Sequence, residues 1–187
     1  MEYFILKYID TFIVMDVDFT NISYLEKGNQ QQQNLYRLLT THNVLSVLAP
    51  YQPLVVGTIP IGIDVEGSDA DIILQFDCIE ELPMLLHQQF SEYANYRLRM
   101  QADNVLVCNF SIEEVPFELY ATNIPTQAQY AFKHMLKEYE ILQKKGATFK
   151  AEVLALKKSG MKTEPAFCKL LGLEGNPYEV LLKYNLE

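Results

Sequence analysis

Two aspartates one residue apart, Asp69 and Asp71, follow a Gly-Thr pair, Gly57 and Thr58, across ten intervening residues. In extended backbone, residues i and i+2 point to the same face. Both carboxylates can therefore converge on one small space while Ala70 turns into the sheet. Two hard oxygen donors on a rigid element suit Mg²⁺ (or Mn²⁺), which takes one or two carboxylates and fills its shell with water and substrate phosphates. A small Gly57-Thr58 turn leaves backbone N–H groups open to an approaching phosphate. The chemistry such an arrangement serves is phosphoryl or nucleotidyl transfer. A purely structural reading stands beside it, because Gly67-Ser68-Asp69 is a good turn sequence in its own right.

A third carboxylate, Glu118, lies between Phe117 and Leu119. The segment from Asn104 to Tyr120 reads as a hairpin, with a strand over 105–110, a turn over 111–114 and a return strand over 115–120. A Glu on a mostly buried strand is costly unless it is paired or metal-bound. Glu118 is accordingly expected to join Asp69 and Asp71 as catalytic and metal-ligating residues, the alternative being a solvent-facing position. Asp64, Glu66 and Asp77 are the nearby substitutes.

Gly57-Thr58, Asp69-Ala70-Asp71-Ile72 and Phe117-Glu118-Leu119 together resemble the nucleotidyltransferase-fold superfamily, the DNA polymerase beta-like enzymes. From about Asn21 the chain resembles a bacterial family of unknown function within it. That likeness rests on Tyr24–Asn29, Val56–Leu74, Phe132–Met135, Lys162–Phe167 and Asn176-Pro177-Tyr178. The stretch from Gly57 to Asp71 is also similar to the GrpB-like proteins. Thr58 departs from the commoner Ser or Gly, keeping the hydroxyl and adding a methyl. The resemblance implies an α+β fold, a nucleotidyltransferase-like mixed β-sheet flanked by helices with a C-terminal helical segment. It implies transfer of a nucleotidyl group from a nucleoside triphosphate to a hydroxyl acceptor, with Asp69, Asp71 and Glu118 holding one or two Mg²⁺. Gly57, Thr58 and Ser68 would lie on the phosphate side, and Glu118 would act as base or second-metal ligand. The alternatives are a catalytically inactive relative that binds a nucleotide, or one that docks a protein partner.

The remaining sequence has to position these groups. The 187 residues, 49% hydrophobic and 21% charged, suffice for one globular domain. That domain divides into a core over 21–125 and a helical part over 126–187. Residues 1–14 are expected to be an N-terminal extension, with Met15 as the natural start and a short docked strand or helix as the alternative. Met1–Met15 is apolar but carries Lys7 and Asp10, too short and too charged to span a bilayer. Cys78, Cys108 and Cys168 show no metal-type spacing, which with no signal peptide reads as reduced thiols in a cytoplasm.

The net charge is −9. Residues 1–132 hold 5 Lys or Arg against 17 Asp or Glu, whereas residues 133–187 hold 10 against 7. This pattern predicts an acidic metal-binding half facing a mildly basic helical half and disfavours a large nucleic acid partner. A small-molecule or protein acceptor is the expectation.

Periodicity predicts helices over 29–48, 79–93, 127–144, 148–158, 164–171 and 177–184, and strands over 54–57, 71–76 and 96–100. In the helix over 127–144, at about 100° per residue, Ala128, Phe132, Met135, Tyr139 and Leu142 share one face. Tyr130, Lys133, His134 and Lys137 share the other. Lys133 and Lys137 are candidates to hold a triphosphate, and His134 to bind phosphate or shuttle a proton, against the usual wet face of an amphipathic helix. Arg97 and Arg99 are a second phosphate-clamp candidate.

Overall fold

The computed structural model describes residues 17–101 and 104–185. The expectations for residues 1–14 and for Met15 as a start lie outside the described residues. Three short helices come first: α1 (Ser23–Glu26), α2 (Gln30–Thr41) and α3 (Val44–Leu48). Strand β1 (Leu54–Val56) leads through a long loop to β2 (Ala70–Gln75), followed by α4 (Leu82–Phe90). Strands β3 (Ala94–Met100), β4 (Leu106–Ile112) and β5 (Val115–Thr122) complete a five-stranded sheet, and α5 (Tyr130–Lys158), α6 (Thr163–Leu171) and α7 (Pro177–Lys183) close the chain.

The sheet order is β1-β2-β5-β4-β3. Only β2 and β5 run parallel; the other neighbours are antiparallel. Because side chains alternate across a strand, each face of the sheet serves a different layer. Ala70, Ile72 and Leu74 of β2, with Phe117, Leu119 and Ala121 of β5, pack on the helices α1–α4. Phe90, Phe110 and Phe117 stack in series there at 4.6 and 5.3 Å, each such pair contributing about 0.5–1.5 kcal/mol beyond area burial. On the opposite face the core takes its strand residues from Leu54, Val56 and Ile73 only, and packs them on Phe132, Met135, Phe149 and Phe167 of α5 and α6. The helical layer therefore covers the β1–β2 side, while the same face of β5 and β4 presents Glu118, Tyr120 and Asn109.

Two departures from the expected elements have local causes. The helix over 29–48 breaks at Asn43, whose φ of 54° is left-handed, a conformation that Asn tolerates better than most residues. The hairpin turn is tighter than 111–114, with Glu113 and Glu114 both at positive φ, 47° and 70°. Positive φ at both positions matches the twist of the flanking strands, and Arg37 ion-pairs with Glu113 across it. The helix expected over 79–93 begins only at Leu82. The expected interruption near Gly146 is present: its φ of 77° and ψ of −169° are non-helical inside α5. Among the described residues no helix is long and apolar enough to cross a membrane.

Candidate functional site

The site begins with strand register. Asp71 pairs with Val56 on one side and with Glu118 on the other, and Glu118 in turn pairs with Asn109. Directly opposed residues on adjacent strands project to one face, so the two carboxylates stand side by side. Asn109 Nδ2 donates to Glu118 Oε2 at 3.1 Å, and Arg99 Nη2 donates to Asn109 Oδ1 at 2.9 Å. Arg99 thus reaches the site through Asn109 and fixes the orientation of Glu118. Asp69 precedes β2 on the same pleat face but is exposed.

Gly57 closes the β1 side. Its φ is +81°, and a Cβ placed there would overlap Asp71 Oδ2. Only glycine permits both this backbone and the close approach of the carboxylate. The loop that follows is anchored from below: Gln32 Nε2 donates to the carbonyls of Ile59 and Pro60 at 3.0 and 2.8 Å. Gln32 also completes a capping box with Asn29 at the start of α2, so the polyglutamine run begins the helix and holds the loop. Ser68 is spent locally, its hydroxyl accepting from Val65 N at 2.9 Å.

These residues form the floor of a cavity of about 460 Å³ whose wall is α5 and the start of α6, a size ordinary for small-ligand sites. Gly57, Thr58, Asp71 and Glu118 line it together with Gln129, His134, Glu138 and Glu164. Gln129 is 5% exposed, and its Oε1 has no partner. Its Nε2 donates to the carbonyls of Leu74 and Ile124, which settles the orientation of the amide. His134 is 7% exposed, with Nδ1 unpartnered. Two orphaned polar atoms around one cavity are what a polar ligand would satisfy.

The electrostatics are those of crowded carboxylates. Burial, followed by the charges of Asp69 and Glu118, pushes Asp71 up to about 8, with Lys157 opposing. Glu138, 3% exposed, is raised well above the usual range by burial and by Glu164. Lys157, 9% exposed, is lowered by its own burial, against the pull of Glu138, Asp64, Glu164 and Asp71. A carboxylate held neutral by burial and by neighbouring charge is one that a cation would ionise, so Asp71 and Glu118 fit a divalent ion.

The helix α5 turns a different face to the cavity than the one expected. Tyr130, Ala131, His134, Met135 and Glu138 line it. Lys133 is exposed, with its Nζ 5.8 Å from the Tyr130 ring centroid, and Lys137 Nζ bonds to Glu140 at 2.8 Å. Neither lysine lines the cavity, whereas His134 does. Glu138, Glu164, Lys157 and Gln129 were not singled out by sequence. The signal present for one of them, Glu138, was its i, i+4 spacing from His134 on one helix face.

The architecture has counterparts among solved structures. The Cid1 poly(U) polymerase with MgGTP bound superposes with a TM-score of 0.55 at 13% identity, over 73% of this chain and 46% of that one. The GLD-2/RNP-8 complex gives 0.54 at 17% identity, over 79% and 60%. A cytoplasmic RNA terminal U-transferase gives 0.54 at 16%, over 74% and 43%. The chain therefore spans about half the length of these structures, and the likeness is one of fold: an α+β nucleotidyltransferase-like sheet with a helical C-terminal segment. No curated protein matches the chain at the sequence level. Over residues 37–184, a stretch that takes in the sheet carboxylates and the helical wall alike, the chain belongs to the family described as Domain of unknown function (DUF4269).

Proposed function

We propose that this protein transfers a nucleotidyl group from a nucleoside triphosphate to a hydroxyl acceptor, in the cavity between the sheet and α5. The observation that carries the reading is the register pair Asp71–Glu118 facing the glycine cradle at Gly57. Asp71, Glu118 and Asp69 would hold Mg²⁺ or Mn²⁺. When bound, such ions neutralise triphosphate charge and lower the pKa of an acceptor hydroxyl. Gly57 and Thr58 admit the phosphates to the backbone at the end of β1. Glu118, steadied by Asn109 on the open side of the sheet, takes the acceptor proton. Gln129 offers its fixed Oε1 to a donor on the bound nucleotide. Catalysis then rests on positioning and charge stabilisation, with no covalent intermediate on the protein. The net charge of −9 supports a small-molecule or protein acceptor over a long nucleic acid.

A second reading, nucleotide binding without transfer, is favoured by one feature. Asp69 is exposed and outside the cavity lining, so the third carboxylate is not drawn into the site. Thermal-shift titration with ATP, GTP, CTP and UTP, each with and without Mg²⁺, tests both. A ligand that binds only the native state raises the melting temperature by mass action. Metal-dependent stabilisation in the wild type that is absent in Asp71→Asn supports a nucleotide at this site. Pyrophosphate release with candidate acceptors then separates transfer from binding. Absence of any shift with all four nucleotides refutes both readings.

A further inference from the structure

Across the cavity from the sheet carboxylates lies a second set of donors. His134 and Glu138 stand one turn apart on α5, and Glu164 reaches in from the first turn of α6. One ligand atom of each lies within 4.8 Å of the others, and among the described residues this is the group of His, Cys, Asp and Glu that converges so closely. The imidazole Nδ1 is buried and has no hydrogen-bond partner. The ion pairs among the described residues, Arg37–Glu113 and Lys137–Glu140, lie elsewhere. The buried Lys157 is the charge that acts on Glu138 and Glu164, and it leaves the imidazole Nδ1 unpartnered, which is costly to bury.

From this convergence we propose that His134, Glu138 and Glu164 bind a divalent transition-metal ion at a site separate from the Asp71–Glu118 pair. Imidazole suits Zn²⁺, Fe²⁺, Ni²⁺ and Cu²⁺, whereas a site for Mg²⁺ is built from oxygen donors alone. Donors on one Zn²⁺ at about 2.0–2.1 Å sit roughly 3–4 Å apart, so the set needs to tighten by only about 1 Å. Three protein donors leave a position for water or a ligand group, as in open zinc sites. The cluster also has access from two sides: His134 and Glu164 line both the site cavity and a neighbouring one of about 730 Å³ that includes Tyr130 and Tyr178.

This inference needs no nucleotide and survives failure of the transferase reading. The test titrates chelator-treated, full-length protein with Zn²⁺ and with Co²⁺ in excess Mg²⁺, reading stoichiometry by calorimetry and the visible absorption of bound Co²⁺. The expected result is one equivalent that Mg²⁺ does not displace and that Asp71→Asn retains. His134→Gln and Glu138→Gln should each weaken it by more than the roughly 10–100-fold that loss of an outer-shell partner costs. Glu164→Gln, at a half-buried position, carries the same comparison if a core variant fails to fold. No bound equivalent, an equivalent displaced by Mg²⁺, or an affinity unchanged in these variants overturns the assignment. The last two outcomes return the ion to the sheet carboxylates or the surface. The first leaves the cluster as a protonated, hydrogen-bonded set.

Discussion

Replacing Asp71 by Asn should make the metal-free protein more stable, and by an amount that grows with pH. The unfolded carboxyl ionises near 3.8 and the folded one at about 8. Between those values the folded state keeps a proton that the unfolded state has lost. Stability therefore falls as pH rises through this window and levels off above about pH 8. At about 1.4 kcal/mol per pH unit the whole window is worth about 6 kcal/mol, which is a ceiling. Asp71 is half-buried and lines an open cavity, so solvent screens part of it and a loss of about 2–3 kcal/mol is expected.

Asn cannot ionise, has nearly the volume of protonated Asp, and escapes this loss. For a chain of this size each kcal/mol moves the melting temperature by about 2–4 °C, so the variant should melt about 4–12 °C above wild type at pH 8 and close to it at pH 5. Thermal denaturation of both proteins in chelator from pH 5 to pH 9 reads the difference directly. Glu138 and Lys157 titrate in both proteins, so their own contributions largely cancel. A difference that is flat with pH, or a variant less stable at pH 8, would refute the claim that burial and the neighbouring carboxylates hold Asp71 neutral. Added Mg²⁺ should narrow the gap by stabilising wild type alone, because a bound cation ionises Asp71 without the burial cost.

Gly57 and Gly67 share a φ of +81°, but a Cβ at Gly57 meets Asp71 whereas one at Gly67 meets nothing within 4 Å. Gly57→Ala and Gly67→Ala should each lose about 1–2 kcal/mol from left-handed backbone, and only the former should also lose the Mg²⁺–nucleotide thermal shift. Gln32→Ala removes two hydrogen bonds to the loop carbonyls of Ile59 and Pro60, costing about 1–3 kcal/mol in denaturant melts and speeding amide exchange in the Gly57–Asp69 loop. Asn109→Ala frees Glu118 from its donor; it should leave stability within about 1.5 kcal/mol and reduce turnover more than nucleotide affinity, as pyrophosphate release would record. Arg37→Ala breaks an exposed pair with Glu113 and should cost no more than about 1 kcal/mol.

The sheet half of the site was legible because strand register converts sequence into geometry with a period of two. With Asp71 on β2 and Glu118 on β5, neighbouring parallel strands in register, their juxtaposition follows. The helical half was not legible in the same way. Counting apolar residues along α5 gives one stripe toward the core and leaves the opposite face, with Tyr130, Lys133, His134 and Lys137, to substrate or water. In the fold, α5 has a third neighbour, α6, and the face between them encloses His134 and Glu138. No local property of a Glu in mid-helix distinguishes a wet position from one that is 3% exposed; that depends on where α6 returns. The loop from Gly57 to Asp69 was likewise read for its turn residues, although Ile59, Ile61 and Ile63 are buried in it and hold its ends in place.

The charge distribution argues for the order in which ligands arrive. The basic tail was expected to face the acidic half, yet among its lysines Lys157 is the one whose charge acts on Asp71, Glu138 and Glu164. Four carboxylates, Asp71, Glu118, Glu138 and Glu164, line the cavity, and among the described residues no lysine or arginine does. A nucleoside triphosphate entering alone would add its charge to a cavity whose carboxylates already disfavour one another's ionisation, and no cationic side chain among the described lining residues offsets it beyond what Gly57 and Thr58 offer through backbone N–H groups. A cation must therefore enter before or with the phosphates. Nucleotide in chelator should give no thermal shift even at concentrations that saturate in Mg²⁺. A nucleotide that stabilised the protein equally in chelator would have to bind away from these carboxylates, which removes the reason for calling this cavity an active site.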